Sequence, residues 1–309
     1  MRKKVSIIGA GNVGASLAQL IAHSGLADVM LFDIAESMPQ GKALDISEAC
    51  PLWGSSSFVR GTNDYQDTEC SDVIVITAGF PRRPGMSRDD LLYANAEVVR
   101  ESASRVVGVS PNAVIIVVTN PMDVMTQLAW QASGFPTRRV IGMGGVLDSA
   151  RLRTFVAWEL GVSPADVEAM VLGGHGDEML PLPRFTTVKG VPIATLLDST
   201  RVEGLIGRAR NGGAEIVGLL KHGSACYAPA AAAFQMAKAV LLDEKRLLPC
   251  SAYLDGQYGI IGLYAGVPVI IGKEGVERIV ELKLDEAEMK ALEKSARSIK
   301  ALIEKLEGR

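Results

Sequence analysis

Cysteine is scarce in this 309-residue chain, and its spacing excludes several kinds of site. The four cysteines are Cys50, Cys70, Cys226 and Cys250. Because no two of them form a C-x-x-C pair, zinc ribbons and thioredoxin-like redox sites are excluded. Disulfide frameworks are typical of short secreted chains that are rich in cysteine. We therefore expect reduced, mostly buried thiols in a cytoplasmic protein, and no metal site.

The chain also lacks a dominant charge and a long uninterrupted apolar run. Lysine and arginine total 32, aspartate and glutamate total 35, and the formal net charge is −3. No stretch reaches the roughly 18 consecutive apolar residues of a membrane span. Glycines interrupt the apolar run at 5–22, which argues against a signal peptide. Neither a nucleic acid nor a membrane is therefore expected as a partner.

Only three histidines are present, so the candidates for an imidazole base are few. His23 and His222 are expected near helix ends, on the surface. His175 lies among three glycines, directly after an apolar run, in the kind of loop that often carries functional residues. His175 is therefore the candidate base, with a structural histidine as the alternative.

The first half of the chain contains an alternation of short apolar runs and longer helical patterns. Strands are predicted at 5–8, 29–33, 73–77 and 114–118, and helices at 12–23 and 88–107. The last two strands are continuous apolar runs, which are typical of strands buried on both faces of a parallel sheet. The order β-α-β-β-α-β therefore predicts an α/β fold with an N-terminal, doubly wound parallel sheet of the Rossmann type.

The second half predicts a mixed α+β organisation. Strands are predicted at 167–174, 185–188, 191–193, 259–265 and 267–271, and helices at 201–220, 228–242 and 286–306. Lys189-Gly190 predicts the turn of a first hairpin, and the last two strands are expected to form a second one. No linker rich in glycine and serine is present, so we expect two domains, residues 1–144 and 145–309, that share a core.

A glycine-rich motif, Gly9-Ala10-Gly11-Asn12-Val13-Gly14, lies between the first strand and the first helix. Glycines in this context permit a tight turn and a close approach of the backbone to a pyrophosphate, which the helix N-terminus also attracts. Asp33 ends the next strand, where a carboxylate binds two ribose hydroxyls and repels a 2′-phosphate. The spacing therefore predicts a site for NAD rather than NADP, and an ordinary glycine turn is the alternative.

Three arginines, Arg82, Arg83 and Arg88, follow the predicted strand at 73–77. Ligands of doubly wound sheets bind at the carboxyl ends of the strands. Guanidinium groups pair with carboxylates through two parallel hydrogen bonds. The loop is therefore a candidate for capture of an anionic substrate, and a solvated basic loop is the alternative.

Two further motifs follow predicted strands. Thr119-Asn120-Pro121 ends the strand at 114–118, where Asn120 is placed to bind a cofactor amide or a substrate hydroxyl, or to form a simple turn. Asp148 and Arg151 are three residues apart, on the same side of a predicted helix. A surface ion pair is the alternative for this second motif.

Six motifs occur in the order and at the intervals of one known family. They are GAGNVG, Asp33, the arginine loop at 82–88, VTNP, LDSAR and GGHGD. On these motifs the whole chain resembles the lactate/malate dehydrogenase superfamily, and most closely its lactate-dehydrogenase-like malate dehydrogenases. The resemblance implies reversible hydride transfer between (S)-malate and NAD⁺, a first domain that binds NAD, and a second domain that binds the substrate.

The resemblance also implies a role for each matching residue. His175 would be the general acid and base, and Asp148 would orient its imidazole. Arg151 would bind the C1 carboxylate, Arg88 would polarise the reacting carbonyl, and Asn120 would contact both the substrate and the nicotinamide. The residues that would contact NAD are Gly9, Ala10, Gly11, Asn12, Val13, Gly14, Asp33, Asn95, Val118, Thr119 and Asn120.

Arg82 is the residue that would determine the substrate specificity. In lactate dehydrogenases the matching position is typically a neutral glutamine, whereas in the malate enzymes it is an arginine that pairs with the second carboxylate of oxaloacetate. The resemblance therefore implies a small dicarboxylate, malate or oxaloacetate, as substrate, and a homodimer or homotetramer as the assembly. Arg83 has no assigned role.

Two other interpretations stay open at this stage. One is a lactate or other 2-hydroxyacid dehydrogenase, against which Arg82 argues. The other is a non-catalytic dinucleotide-binding module, such as a redox sensor. Such a module would need the glycine motif and Asp33 but would not need the four groups His175, Asp148, Arg88 and Arg151 together.

Overall fold

The computed structural model describes residues 2–80 and 88–308, with Arg88 described by its backbone alone. These residues form fourteen strands and nine α-helices. The strands are β1 (Lys4–Ile8), β2 (Asp28–Phe32), β3 (Val59–Thr62), β4 (Val73–Ile76), β5 (Val114–Val117), β6 (Val140–Gly142), β7 (Val167–Glu168), β8 (Val171–Gly173), β9 (Met179–Pro181), β10 (Thr187–Val188), β11 (Val191–Pro192), β12 (Arg246–Asp255), β13 (Ile261–Gly272) and β14 (Gly275–Ile279). The helices are α1 (Asn12–Ser24), α2 (Met38–Ala49), α3 (Arg88–Val109), α4 (Met122–Ser133), α5 (Gly145–Leu160), α6 (Ile193–Leu196), α7 (Ser199–Leu220), α8 (Tyr227–Leu241) and α9 (Glu286–Glu307).

Among these residues, the largest sheet has nine strands in the order β3-β2-β1-β4-β5-β6-β12-β13-β14. The first six strands are parallel, and β12 to β14 extend the sheet through antiparallel pairs. The predicted doubly wound parallel sheet is therefore confirmed, and strands of the second half join it. The strand order reverses between β1 and β4, and ligands of such sheets bind outside the carboxyl ends of the strands at that point.

The composition of the central strands explains their position. β4 (VIVI) and β5 (VIIV) are buried at every residue, as expected for apolar runs covered on both faces. α8 packs on these two strands and against α1. Buried side chains from both halves of the chain form one core cluster, and a second cluster lies within the second half alone, at 152–209. Each fully buried Val, Ile or Leu side chain contributes about 1.5–3 kcal/mol, and the sheet is therefore a stable base for a site at its edge.

Two elements between β2 and β4, namely α2 and β3, were not predicted, so the expected β-α-β-β-α-β order is incomplete. α2 buries only Pro39, Ala43 and Ile46, and its Leu44 is 61% exposed. The buried positions share one helical face, but they are few, and the exposed leucine obscures the pattern in the sequence. β3 has only four residues, one of which is the exposed Arg60. Short elements with a weak pattern carry little signal in a sequence.

The second predicted hairpin, 259–265 with 267–271, is wrong. Residues 261–271 belong to one strand, β13, whose antiparallel partner β12 was not predicted. A Cβ atom at position 266 would overlap the carbonyl oxygen of Gly173. Gly266 therefore allows the backbone of β8 to pass close to β13, and it does not mark a turn.

The smaller sheets follow the prediction in part. Lys189-Gly190 joins β10 and β11, which confirms the first predicted hairpin. The predicted strand at 167–174 is divided into β7, which pairs with β10, and β8, which pairs with β9. The division places the residues after β8 in a loop that returns directly to β9.

The structure bears on two expectations from composition, the burial of the cysteines and the lack of a membrane-spanning helix. All four cysteines are free thiols, but only Cys50 and Cys250 are buried, whereas Cys226 is partly exposed and Cys70 is exposed. The expectation of mostly buried thiols therefore holds for half of them. In the part of the chain that the structure describes, no helix is long and apolar enough to cross a membrane.

Candidate active site

The glycine motif forms the turn between β1 and α1, at the carboxyl edge of the sheet. Gly9 has a φ of 109°, and a Cβ atom there would lie 2.6 Å from the backbone nitrogen of Ala78, which follows β4. A Cβ atom at Gly14 would overlap the carbonyl oxygen of Gly9. These two glycines therefore allow the turn to pack closely against β4 and α1.

The N-terminus of α1 is suited to an anion. Gly11 precedes the helix, and a Cβ atom at this position would meet nothing within 4 Å. Because Gly11 has no side chain, it cannot cap the helix, and the first turn contains no acidic residue. Asn12 and Val13 begin the helix, with Asn12 exposed. The N–H groups and positive dipole end of α1 are therefore available to a phosphate group.

Asp33 follows β2 and is hydrogen-bonded to the same turn. Its Oδ2 accepts a hydrogen bond from the backbone N–H of Ala10 at 2.7 Å, and its Oδ1 accepts one from Ala35 at 3.0 Å. Lys42 on α2 donates to the carbonyl oxygen of Ala10 at 2.6 Å. Carboxylate oxygens accept more than one hydrogen bond, so Asp33 retains capacity for ribose hydroxyls. This geometry fits a dinucleotide; the contribution of Lys42 was not predicted, because α2 itself was not.

Asn95 on α3 links the loops that follow β4 and β5. Its side chain is buried (2% exposed), its Oδ1 accepts from the N–H of Phe80 at 2.7 Å, and its Nδ2 donates to the carbonyl oxygen of Asn120 at 2.8 Å. Thr119 donates its hydroxyl proton to the carbonyl oxygen of Ala78 at 2.6 Å. Val118 is buried, whereas Asn120 is exposed. All described hydrogen bonds of the Asn95 side chain go to backbone atoms, so its expected contact with NAD stays a prediction.

His175, Asp148 and Arg151 lie together although they are distant in sequence. The Nδ1 of His175 is 2.8 Å from the Oδ2 of Asp148. Arg151 donates from Nη1 to the Oδ1 of Asp148 at 3.2 Å. The Asp148 side chain is only 2% exposed, so the alternative of a surface ion pair is wrong.

The electrostatics of this group favour a protonated imidazole. Burial lowers the pKa of His175, but the attraction and the hydrogen bond of Asp148 outweigh this effect, and the net pKa is raised above its usual value. The hydrogen bond also assigns the proton of the neutral ring to Nδ1, which donates to Asp148. Within the described residues, no group hydrogen-bonds to Nε2. Nε2 is therefore the ring nitrogen that can exchange a proton with a ligand.

Arg151 is held in place by α7. A Cβ atom at Gly212 would lie 3.1 Å from the Cδ of Arg151, and one at Gly213 would lie 3.5 Å from its Nη2. These glycines therefore make room for the guanidinium. Its Nε is buried and has no hydrogen-bond partner among the described residues. Because Nε is covered by α7, a ligand carboxylate would have to meet the other guanidinium nitrogens, and the side chain is 14% exposed.

The backbone of His175 is anchored by side chains that were not predicted. Asp123 on α4 accepts from the N–H of His175 at 2.8 Å, and Ser295 on α9 accepts from the N–H of Gly174 at 2.6 Å. Asp123 lies in the first turn of a helix, shortly after Asn120-Pro121. An acidic residue in the first turn of a helix is the only feature of the sequence that marks Asp123. Its contact with a loop 52 residues away has no sequence signal.

The arginine loop lies outside the described residues. Arg82 and Arg83 are among residues 81–87, and of Arg88 only the backbone, at the start of α3, is described. The expected contacts of these arginines with a substrate therefore stay predictions. A search of the described residues finds no group of three or more His, Cys, Asp or Glu side chains that could hold a metal ion.

Comparison with known proteins covers nearly the whole chain. The family model for the lactate/malate dehydrogenase NAD binding domain matches residues 3–142, and the model for the lactate/malate dehydrogenase alpha/beta C-terminal domain matches residues 145–308. The malate dehydrogenase of Roseiflexus sp. (strain RS-1) is 53% identical over 308 residues, which cover 100% of both chains.

Solved structures of two enzymes match the fold. The malate dehydrogenase of Cryptosporidium parvum has a TM-score of 0.97 at 46% identity and covers 100% of both chains. The lactate dehydrogenase of Cryptosporidium parvum, solved with lactic acid and nicotinamide adenine dinucleotide, has a TM-score of 0.97 at 44% identity. That match covers 100% of this chain and 99% of the other. Because both enzymes share this fold, the fold by itself does not select a substrate.

Proposed function

This chain belongs to the lactate/malate dehydrogenase family, and on that premise we propose that it is an NAD-dependent malate dehydrogenase that interconverts (S)-malate and oxaloacetate. The observation that carries the proposal is the hydrogen bond between His175 and the buried Asp148, which also accepts from Arg151. A dinucleotide-binding sensor would need the glycine turn and Asp33, but it would have no use for this buried group.

His175 acts as the general acid in one direction of the reaction and as the general base in the other. When bound, NADH would supply the hydride for reduction of the oxaloacetate carbonyl carbon. Protonated His175 donates the proton of Nε2 to the carbonyl oxygen, and in the reverse direction neutral Nε2 takes the proton of the malate hydroxyl. Asp148 accepts from Nδ1 throughout, which keeps the ring in one tautomer and stabilises its protonated form.

The arginines hold the substrate. Arg151 binds the C1 carboxylate through its guanidinium group, which Asp148 holds in place. Arg88 polarises the reacting carbonyl, and Arg82 pairs with the second carboxylate. Asn120 contacts the substrate beside the nicotinamide. The roles of Arg82 and Arg88 are carried by the family resemblance, because their side chains lie outside the described residues.

The residues of the first half fit a dinucleotide, which we assign as NAD. The turn at Gly9 to Gly14 and the N-terminus of α1 would hold the pyrophosphate. Asp33 would bind the ribose hydroxyls and would repel the 2′-phosphate of NADP. Asn95, Val118 and Thr119 would support or contact the nicotinamide half.

We further propose a homodimer or homotetramer in the cytoplasm. In each chain, residues 1–144 would bind NAD and residues 145–309 would bind the substrate. The sheet that runs from β3 to β14 through both parts supports their close packing.

A lactate dehydrogenase is the second candidate, because a solved lactate dehydrogenase shares the fold at 44% identity. Either activity would use His175, Asp148 and Arg151, because these residues act on the hydroxyl and C1 carboxylate groups that malate and lactate share. The choice between them depends on Arg82, which only a dicarboxylate can pair with.

The two directions of the reaction are expected to have opposite pH trends. Oxaloacetate reduction requires protonated His175, so its kcat/KM should fall as the pH rises through the raised pKa of this residue. Malate oxidation requires the neutral ring, so its kcat/KM should rise through the same pH range. Initial rates of NADH oxidation and NAD⁺ reduction, measured over one series of buffers, test the proposal. Profiles of the same shape in both directions would contradict it.

A further inference from the structure

Asp123 is a buried carboxylate for which the proposed mechanism has no use. It lies in the first turn of α4, and it is only 4% exposed. Its Oδ2 accepts from the backbone N–H of His175 at 2.8 Å, and its Oδ1 accepts from the hydroxyl of Ser251 on β12 at 2.6 Å. Asp123 therefore joins the backbone of the candidate base to a helix and to a strand of the main sheet.

The loop that carries His175 needs such an anchor. It runs from β8 to β9, and Gly173 and Gly176 have φ angles of 75° and 116°. Glycines of this kind leave a backbone free to adopt several conformations. The hydrogen bond from Nδ1 to Asp148 orients the ring, whereas the bond from the His175 N–H to Asp123, beside the bond from the Gly174 N–H to Ser295, restrains the backbone from which the ring extends.

Burial and hydrogen bonding have opposite effects on the pKa of Asp123. Burial raises the pKa of Asp123 and outweighs the hydrogen bonds from Ser251 and from the His175 backbone, which lower it, so the net pKa is above its usual value. The positive dipole end of α4 also favours the ionised form. The His175 N–H can only donate, so Oδ2 acts as an acceptor in either form of the carboxyl group, and an asparagine substitution tests the charge.

From this geometry we propose that Asp123 is a positioning residue for His175, which holds its backbone with one oxygen and places a second negative charge beside the imidazole. The inference deepens the proposed function and rests on it. The charged groups that act on His175 among the described residues are Asp148 and Arg151 on α5 and Asp123 on α4. Loss of the Asp123 charge should therefore shift the titration of His175 to lower pH.

Two substitutions of Asp123 separate its hydrogen bonds to the His175 loop and Ser251 from its negative charge. Asp123→Ala removes both hydrogen bonds and should lower kcat by about 10²-fold, which is the cost of a misplacement of about 1 Å, while the KM for NADH stays close to that of the wild type. Asp123→Asn retains an oxygen for the His175 N–H and an amide for Ser251. It should therefore recover most of kcat, with its oxaloacetate reduction declining at lower pH than in the wild type.

The titration of His175 can be followed without turnover. The chain has three histidines, so imidazole NMR signals of the intact protein are few, and the signal of His175 is the one lost in His175→Asn. We expect a lower pKa for His175 in Asp123→Asn than in the wild type. Asp45→Asn is the matched control, because it makes the same chemical change at an exposed position of α2 and should leave this titration unchanged.

An unchanged His175 titration in Asp123→Asn would overturn the inference, as would wild-type kcat in a folded Asp123→Ala protein. If the alanine variant does not fold, the asparagine variant decides the outcome through the NMR titration. The turnover of oxaloacetate by the wild type tests the proposed function separately, so the two failures are told apart.

Discussion

Replacement of His175 by asparagine is expected to lower the kcat of oxaloacetate reduction by about 10²–10⁴-fold, which is the usual contribution of a positioned general acid. Asparagine can still donate a hydrogen bond to Asp148, but it has no proton that titrates near neutral pH. NADH binding should be retained, because the glycine turn and Asp33 belong to other elements, β1, α1 and β2. Steady-state rates give kcat, and fluorescence titration gives the dissociation constant of NADH.

The two other histidines provide matched controls. His23 and His222 are exposed, so asparagine at either position should leave kcat unchanged. A His175→Asn protein with wild-type kcat would exclude His175 as the acid and base. Loss of both turnover and NADH binding would indicate instead that the substitution disturbs the fold.

Arg82→Gln is expected to change substrate preference from oxaloacetate toward pyruvate by several powers of ten. A charge-assisted hydrogen bond contributes about 1.5–3 kcal/mol, and a buried charge without a partner costs about 3–5 kcal/mol. With oxaloacetate Arg82 would form its ion pair, whereas with pyruvate it would face a methyl group. About 1.4 kcal/mol corresponds to a tenfold change in a rate or equilibrium constant. Removal of the charge should therefore lower kcat/KM for oxaloacetate and raise it for pyruvate.

Arg83→Gln is the control for this prediction, because it removes the same charge from the next position of the loop. It should leave the ratio of the two kcat/KM values near that of the wild type. If Arg82→Gln lowered kcat/KM equally for both substrates, Arg82 would have no role in specificity.

The parts of the site that could be predicted from the sequence lie directly after strands. Gly9, Asp33 and Asn120 each follow a parallel strand with a clear apolar run, and the topology of a parallel sheet brings such positions to one edge. His175 was recognised because glycines surround a rare residue type. Asp148 and Arg151 were recognised as a pair by their helical spacing, but their burial follows from packing against α7 and β8.

The parts that could not be predicted depend on contacts between distant segments. Gly266 has the sequence appearance of a turn, yet its lack of a side chain serves the approach of Gly173. Asp123 has the appearance of an ordinary helix-terminal acid, yet it contacts Ser251 and the backbone of His175. Local patterns carry no information about such partners, because burial is decided by the whole fold. Lys42 belongs to the same class, since α2 has few buried residues and an exposed leucine, which make the helix hard to predict.

The ratio of kcat/KM for oxaloacetate to that for pyruvate, measured with the wild-type protein and NADH, tests the central claim most directly. The claim is that His175, Asp148 and Arg151 perform the hydride-linked proton chemistry while Arg82 selects a dicarboxylate. We expect a ratio of several powers of ten in favour of oxaloacetate, because only oxaloacetate carries a second carboxylate to pair with Arg82. Turnover of pyruvate as fast as that of oxaloacetate would contradict it.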